Sequence, residues 1–339
     1  LFENESIEKV GQNIKFDYHI LANYGIELKG RLFDTMIAHY LIQADMRHNM
    51  TVLAETYLNY SPIKIESIIG KGKAQLNMRD LPTIKIKKYA CEDADITWQL
   101  KTVFEPLLKE DDLISLFREI EMPLVSVLAK MEREGINLDR ESLQLFSKEL
   151  ESSVKEIQDE IFYIAGTEFN ISSPKQLGEI LFDHIKIDDK AKKTKTGQYS
   201  TSEEVLSKLK KKHPIVEKVL TFRSLQKLRS TYVDALPGLI NTNTQRIHTS
   251  FNQAVAATGR LSSNNPNLQN IPIRTERGRE VRKAFIPRDD NHTLLAADYS
   301  QVELRLIAEM SKDTVMVEAF QQGLDIHAAT ASKVFNVPL

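Results

Sequence analysis

Apolar residues recur at spacings of three and four through the middle of this chain, and that period limits the fold more than any other feature. Ile120, Leu124, Val127, Leu128 and Met131 make one such stripe, and Phe222, Leu225, Leu228 and Tyr232 make another. A 3.6-residue period places each set on one face of a helix. Leu143 to Ile164 predicts a second long helix with a charged face, after Gly135 closes the first. Ser173, Pro174 and Gln176 read as the cap, first position and capping-box residue of another helix, and Thr201-Ser202-Glu203-Glu204 repeats the device. Lys190–Tyr199 is polar and glycine-containing, the composition of a flexible tip. Strand signals are scarce between residues 119 and 245. They lie on either side: Val10–Ile14 in an alternating α/β region 1–118, where Phe33 and Asp34 lead into a helix, then Ile247–Gln253 and Leu294–Asp298 in 246–339. Helices are expected at Ile20–Tyr24, Thr35–Leu41, Ile86–Leu108, Val302–Met310, Val315–Gln321 and Ile326–Phe335. The expected fold class is therefore α/β and α, in three parts: 1–118, 119–245 and 246–339.

Composition narrows the function classes. No run approaches the roughly 18 consecutive apolar residues of a membrane span, and the N-terminus lacks the basic and apolar regions of a secretory signal. The expectation is a cytoplasmic protein with no membrane partner, acting as a monomer. One cysteine, Cys91, excludes a disulfide framework and a multi-cysteine zinc site, and is expected to be a packed core residue. Net charge is −2, but it is unevenly spread. Between Ile185 and Arg229 stand 13 basic and 5 acidic residues, and between Arg246 and Arg288 stand 8 and 2. Such asymmetry suits a polyanion-facing surface on one part of the molecule; a solvated face accounts for it about as well.

Three blocks carry chemistry. In Leu294-Leu295-Ala296-Ala297-Asp298-Tyr299-Ser300-Gln301-Val302-Glu303-Leu304-Arg305, an apolar run delivers a carboxylate where a helix begins. Mg²⁺ binds through one or two such carboxylates plus substrate phosphates; a helix N-cap is the commoner use of an acid there. Upstream, Ala257-Thr258-Gly259-Arg260-Leu261-Ser262-Ser263 runs into Asn264-Asn265-Pro266-Asn267-Leu268-Gln269-Asn270. Arg, Asn and Gln side chains can bond the minor-groove acceptors present at every base pair, which suits sequence-independent duplex contact. Asn residues that bond their own turn are the plainer account. In the third block, Thr221–Tyr232, Arg223 and Lys227 sit four apart on one helical face and can meet phosphates. Two weaker patterns lie near the start. Asp17 follows a predicted strand, and Tyr89 and Asp93 share a helix face.

These blocks, in this order, resemble family A DNA polymerases of the bacterial type. The Asp298 string is similar to that family's palm motif A, the Arg260–Gln269 string to its thumb–palm junction, and Thr221–Tyr232 to its long thumb helix. Asp17, Tyr89 and Asp93 look like the second and third motifs of a proofreading 3′–5′ exonuclease. The resemblance implies an incomplete ribonuclease H-like exonuclease domain, a helical thumb and a partial α/β palm. It implies a DNA-directed DNA polymerase acting in replication and repair on primer–template DNA and deoxynucleoside triphosphates, with Mg²⁺ as cofactor. Asp298 and the Tyr299 carbonyl would hold the metal, with Gln301 and Glu303 at the nucleotide and Glu303 excluding the ribose 2′-OH. Arg260, Asn267 and Gln269 would track the minor groove, and Arg223 and Lys227 the backbone. Asp17 and Asp93 would bind the second metal centre, with Tyr89 placing water. The family's first exonuclease motif is expected before Leu1 and its fingers and second palm acids after Leu339, so the chain taken alone is expected to be inactive. A non-catalytic DNA-binding module and a stand-alone ribonuclease D-like exonuclease are the alternatives.

Overall fold

The computed structural model describes every residue except Thr196, Asn336 and Leu339, and omits the side chains of Ala329 and Lys333. The fold is mixed α/β and mostly helical. It divides into two compact units, Leu1–Arg288 and Asp289–Leu339. No helix among the described residues is long and apolar enough to cross a membrane.

The first unit opens on a parallel pair. Strand β1 (Lys9–Gly11) lies beside β2 (Leu32–Asp34), with Val10 opposite Phe33, and α1 (Ile14–Asn23) crosses between them. The strand expected to reach Ile14 stops at Gly11, and Ile14 begins the helix instead. Buried Asp34 explains the switch. Its carboxylate accepts the Asn13 and Ile14 amides at 3.0 and 2.8 Å and the Met36 amide at 2.8 Å. One acid thus caps both α1 and α2 (Thr35–Ile42), satisfying amide donors that a helix start leaves open. Burial pushes this carboxyl up to about 6, against the pull of those three amides and of the Ile37 amide at 3.4 Å.

Helices α3 (Met50–Tyr57), α4 (Glu66–Ile69) and the long α5 (Thr83–Glu110) follow. Phe33, Ile37, Leu53, Ile96, Leu100 and Phe104 form the first core. His39 is buried in it, 2.7 Å from His48 and 3.1 Å from the Tyr57 hydroxyl. Burial, then the neighbouring His48, pushes His39 down to about 4, so the ring is neutral near pH 7. Cys91 lies exposed on α5, not packed in the core as expected.

Helix α6 (Ile114–Leu116) runs through a π-turn at Phe117–Glu121 into α7 (Met122–Glu134). The buried stripe of α7 is Val125, Leu128, Ala129 and Glu132. Ile120, Val127 and Met131, expected inward, are at least half exposed. A π-turn closes on the fifth residue instead of the fourth and so shifts the phase of the stripe. Gly135 then ends α7 with φ +66°, and a Cβ there would lie 2.6 Å from the Ile247 carbonyl oxygen. Gly135→Ala is expected to cost roughly 1–3 kcal/mol, from both the clash and a backbone conformation reserved for glycine. Urea unfolding of the two forms measures it.

A second core fills the helical lobe. Strand β3 (Asn137–Leu138) leads into α8 (Arg140–Ala165), which packs along α11 (Pro214–Leu228) through Leu143, Leu150, Ile161, Val219, Phe222 and Leu225. Between them lie α9 (Pro174–Gly178) and α10 (Glu203–Leu209). Ser173 caps α9 as expected, but Gln176 accepts from the Asn170 amide at 2.7 Å, not from Ser173, so the capping box does not close. The 190–199 segment, expected to be a flexible tip, folds back: Lys193 pairs with Tyr199, whose ring lies under the Lys193 ammonium. Thr196 within it lies outside the described residues. Past the lobe, β4 (Ser250–Asn252) pairs antiparallel with β5 (Ser262–Asn264). After α12 (Glu276–Lys283), β6 (Phe285–Ile286) returns to pair with β3.

The second unit contains α13 (Val302–Ser311), α14 (Thr314–Gln321) and α15 (Ile326–Phe335). The strand expected at Leu294–Asp298 is not formed. These residues are exposed coil, Leu295 at 92%. A buried strand needs a neighbour's ladder on at least one edge, and no described segment pairs with this one.

Candidate nucleic-acid interface and its carboxylates

Asp17 lies in the first turn of α1, on its exposed side. Crowding by the surrounding protein still raises its carboxyl above the ordinary range. On α5 the Tyr89 hydroxyl hydrogen-bonds Asp93, as their four-residue spacing requires. Burial, then that bond, pushes Tyr89 up to about 12. Burial also raises Asp93, against the opposing bond from Tyr89. The next acid, Glu92, has a structural use: it accepts the Ile63 amide at 2.7 Å and the Tyr60 hydroxyl. Among the described residues no three acids, histidines or cysteines gather closely enough to hold a metal by themselves. Partly desolvated carboxylates suit a divalent cation, whose charge favours their ionised form.

The β4–β5 hairpin and the turn after it carry Arg260, Asn267 and Gln269, all exposed. Asn267 accepts the Gln269 amide at 3.0 Å, capping a short 3₁₀ turn at Leu268–Asn270, and the Gln269 side chain donates to the Leu261 carbonyl at 3.1 Å. Part of each amide group is therefore committed to shaping the turn. Thr249 and Ser263 brace it from inside, their hydroxyls 2.7 Å apart and that of Thr249 donating to the Pro266 carbonyl at 2.8 Å.

Sequence reasoning missed two residues that hold this hairpin. Buried Glu132 accepts the Phe251 amide at 2.7 Å and bonds Lys15 and His19 of α1. Burial alone would raise Glu132, but the bonds from His19, Lys15 and the amide outweigh it and hold the carboxyl low. Its signal was an acid continuing the Val125–Leu128–Ala129 stripe. The other is Tyr40 on α2, whose hydroxyl reaches the loop before Arg260; nothing in its local sequence marks it.

On α11, Lys227 is exposed and has no ion pair among the described residues, whereas Arg223 is half-buried and donates to the Thr201 carbonyl and, at 3.3 Å, to its hydroxyl. The two cations expected to act together thus differ. Much of the surrounding basic block is neutralised locally, by Lys208–Glu204, Lys210–Glu217, Lys212–Asp188 and Lys218–Glu160 pairs.

In the second unit Asp298 and Tyr299 are exposed, three and two residues ahead of Gln301, the residue at the N-cap of α13. Asp298 therefore does not cap that helix. The Gln301 side chain bonds Asp325, and Glu303 sits in the first turn of α13.

Residues 140–339 match the DNA polymerase family A profile, and residues 1–109 match the 3′-5′ exonuclease profile. The chain belongs to DNA polymerase family A. Among its curated relatives in that family are DNA polymerase I of Rhizobium leguminosarum, 45% identical over all of this chain and 33% of the relative, and that of Pseudomonas aeruginosa, 46% identical over all of this chain and 38% of the relative. The chain thus spans about a third of the length of these polymerases. A solved structure, the POL domain of Pol1 from M. smegmatis in complex with DNA primer-template and dNTP, aligns with a TM-score of 0.83 at 35% identity. It covers 99% of this chain and 56% of that one.

Proposed function

We propose that the protein is a DNA-directed DNA polymerase of replication and repair, with an associated 3′–5′ proofreading exonuclease domain. The observation that carries this reading is the exposed, internally braced Arg260–Asn267–Gln269 hairpin in a family A chain. The likeness to a polymerase domain bound to primer-template and dNTP supports it. Residues 1–118 would be the exonuclease part, 119–245 the thumb and 246–339 the start of the palm. In the reaction a primer 3′-OH attacks the α-phosphate of a deoxynucleoside triphosphate, and pyrophosphate leaves. Arg260, Asn267 and Gln269 hold the duplex by its minor groove, and Lys227 meets the backbone. Asp298, uncommitted to any cap, and the Tyr299 carbonyl would hold Mg²⁺; when bound, the metal supplies charge neutralisation at the phosphates. Gln301 and Glu303 stand beside the nucleotide, Glu303 crowding its sugar. At the second centre Asp17 and Asp93 would hold metal and Tyr89 would orient water. One cysteine and no disulfide framework suit work in a reducing cytoplasm, and the protein is read as acting there as a monomer.

Binding to primer–template duplex is expected to weaken steeply as salt rises, because cations that neutralise phosphates release counterions. Lys227→Ala should flatten the log K against log salt slope by about 1. Arg223→Ala should flatten it less, since its guanidinium is tied to Thr201. Fluorescence anisotropy in EDTA over a salt series measures both. Salt-independent binding, or none at low salt, overturns the duplex-contact reading.

A further inference from the structure

Tyr40 belongs to α2 of the nuclease-like part, yet its hydroxyl lies in the loop that leads to Arg260. It donates to the Ala256 carbonyl at 2.7 Å and accepts the Gly259 amide at 3.1 Å. The Tyr40 side chain is otherwise buried, at 4% exposure. Ala257, Thr258, Gly259 and Arg260 are all exposed, so this hydroxyl is the buried post around which an otherwise solvated turn is folded. Gly259 adopts φ +76°, the left-handed conformation that lets its N–H turn inward to the post. The other arm of the loop is held from the same side. Phe251 is fixed by Glu132 and Lys15, and Gln253 donates to the Glu121 carboxylate at 2.7 Å.

We propose that Tyr40 is a positioning residue for duplex binding: by pinning the Ala256–Gly259 turn it pre-orders the backbone from which Arg260 reaches DNA. The proposal rests on the duplex-contact reading above. A short exposed turn with a central glycine loses conformational freedom when it binds, and that loss weakens affinity unless the turn is already ordered. One hydroxyl that both donates and accepts removes part of that loss before DNA arrives. The nuclease-like part thereby serves polymerisation through structure, independently of its acids.

The test is a double-mutant cycle on primer–template binding, measured in EDTA on the full-length protein and its Tyr40→Phe, Arg260→Ala and doubly substituted forms. Tyr40→Phe is expected to weaken binding about 5-fold, the scale of one ordinary hydrogen bond. In the Arg260→Ala background it should cause no further loss, because its effect passes through Arg260. Amide exchange should quicken at residues 256–260 and stay unchanged across α2. That pattern separates positioning from general destabilisation. Equal losses in both backgrounds overturn the proposal, as does unaltered binding by Tyr40→Phe where Arg260→Ala weakens it. Failure of the unaltered protein to bind duplex overturns the function reading first, and this inference with it.

Discussion

Asp298→Asn in the full-length protein is expected to slow single-turnover deoxynucleotide insertion by about 10²–10⁴-fold, or roughly 3–5 kcal/mol of transition-state stabilisation. Asn is as good a helix cap as Asp, so a capping role would predict almost no change. The structure sharpens the contrast. Helix α13 begins at Val302 with Gln301 at its cap position, and Asp298 is exposed coil three residues earlier. Stability should therefore change by no more than about 0.5 kcal/mol, the range for exposed positions without special partners. Glu303→Ala serves as the companion. It should leave deoxynucleotide insertion largely intact and raise ribonucleotide insertion, since the proposed work of Glu303 is steric. Rapid-quench insertion of dNTP and rNTP, side by side, reads both. Near-normal rate in Asp298→Asn removes the metal assignment, and unchanged sugar selectivity in Glu303→Ala removes the gate.

The second large effect belongs to the nuclease-like part. Asp93→Ala in the full-length protein should abolish 3′–5′ degradation of single-stranded DNA while polymerisation continues. Two consequences of the structure add to the loss of a metal-binding carboxylate. The Tyr89 hydroxyl loses the acceptor that orients it, and with it the Asp93 share of a pKa rise whose largest cause is burial. Asp93 is only half-buried, so its removal opens no core cavity. A gel assay of primer shortening, with nucleotide addition in the same reaction tube, separates the activities. Arrested addition with intact degradation would reverse the assignment of the two sites.

What the sequence made legible and what it hid follow from the range of the forces involved. Helices α5, α8 and α13 were readable because a local apolar period specifies them, with a local cap, Asp139, at α8 alone. The α1 start was not, because it is set by Asp34 from across the strand pair. The buried stripe of α7 was displaced by a π-turn that no residue type announces. The Leu294–Asp298 run has the composition of a buried strand, but composition does not supply a ladder partner. At the candidate site, charged and amide side chains in recognisable strings could be named directly, whereas Tyr40 acts from more than two hundred positions away in the chain and Glu132 joins three segments at once. Arg223 shows the converse. Its four-residue spacing from Lys227 is plain in the sequence, but its engagement with Thr201 depends on a loop whose path only the folded lobe determines.

The Ile136–Ile247 bridge has a consequence for how this molecule can be taken apart. These two residues exchange backbone hydrogen bonds in both directions at 2.9 Å, so the two ends of segment 137–246 meet side by side at one neck. Segments whose ends lie side by side tolerate transplantation and circular permutation, because rejoining the ends needs only a short linker. A transplanted lobe would still have to match Val281, Ala284 and Phe285, which return to its core from beyond the neck. New termini could be opened at exposed Gly197, and a lobe from a relative could be spliced in at the neck. The Lys15–Glu132–Phe251 clasp, which lies on the body side of the neck, would keep its own partners throughout.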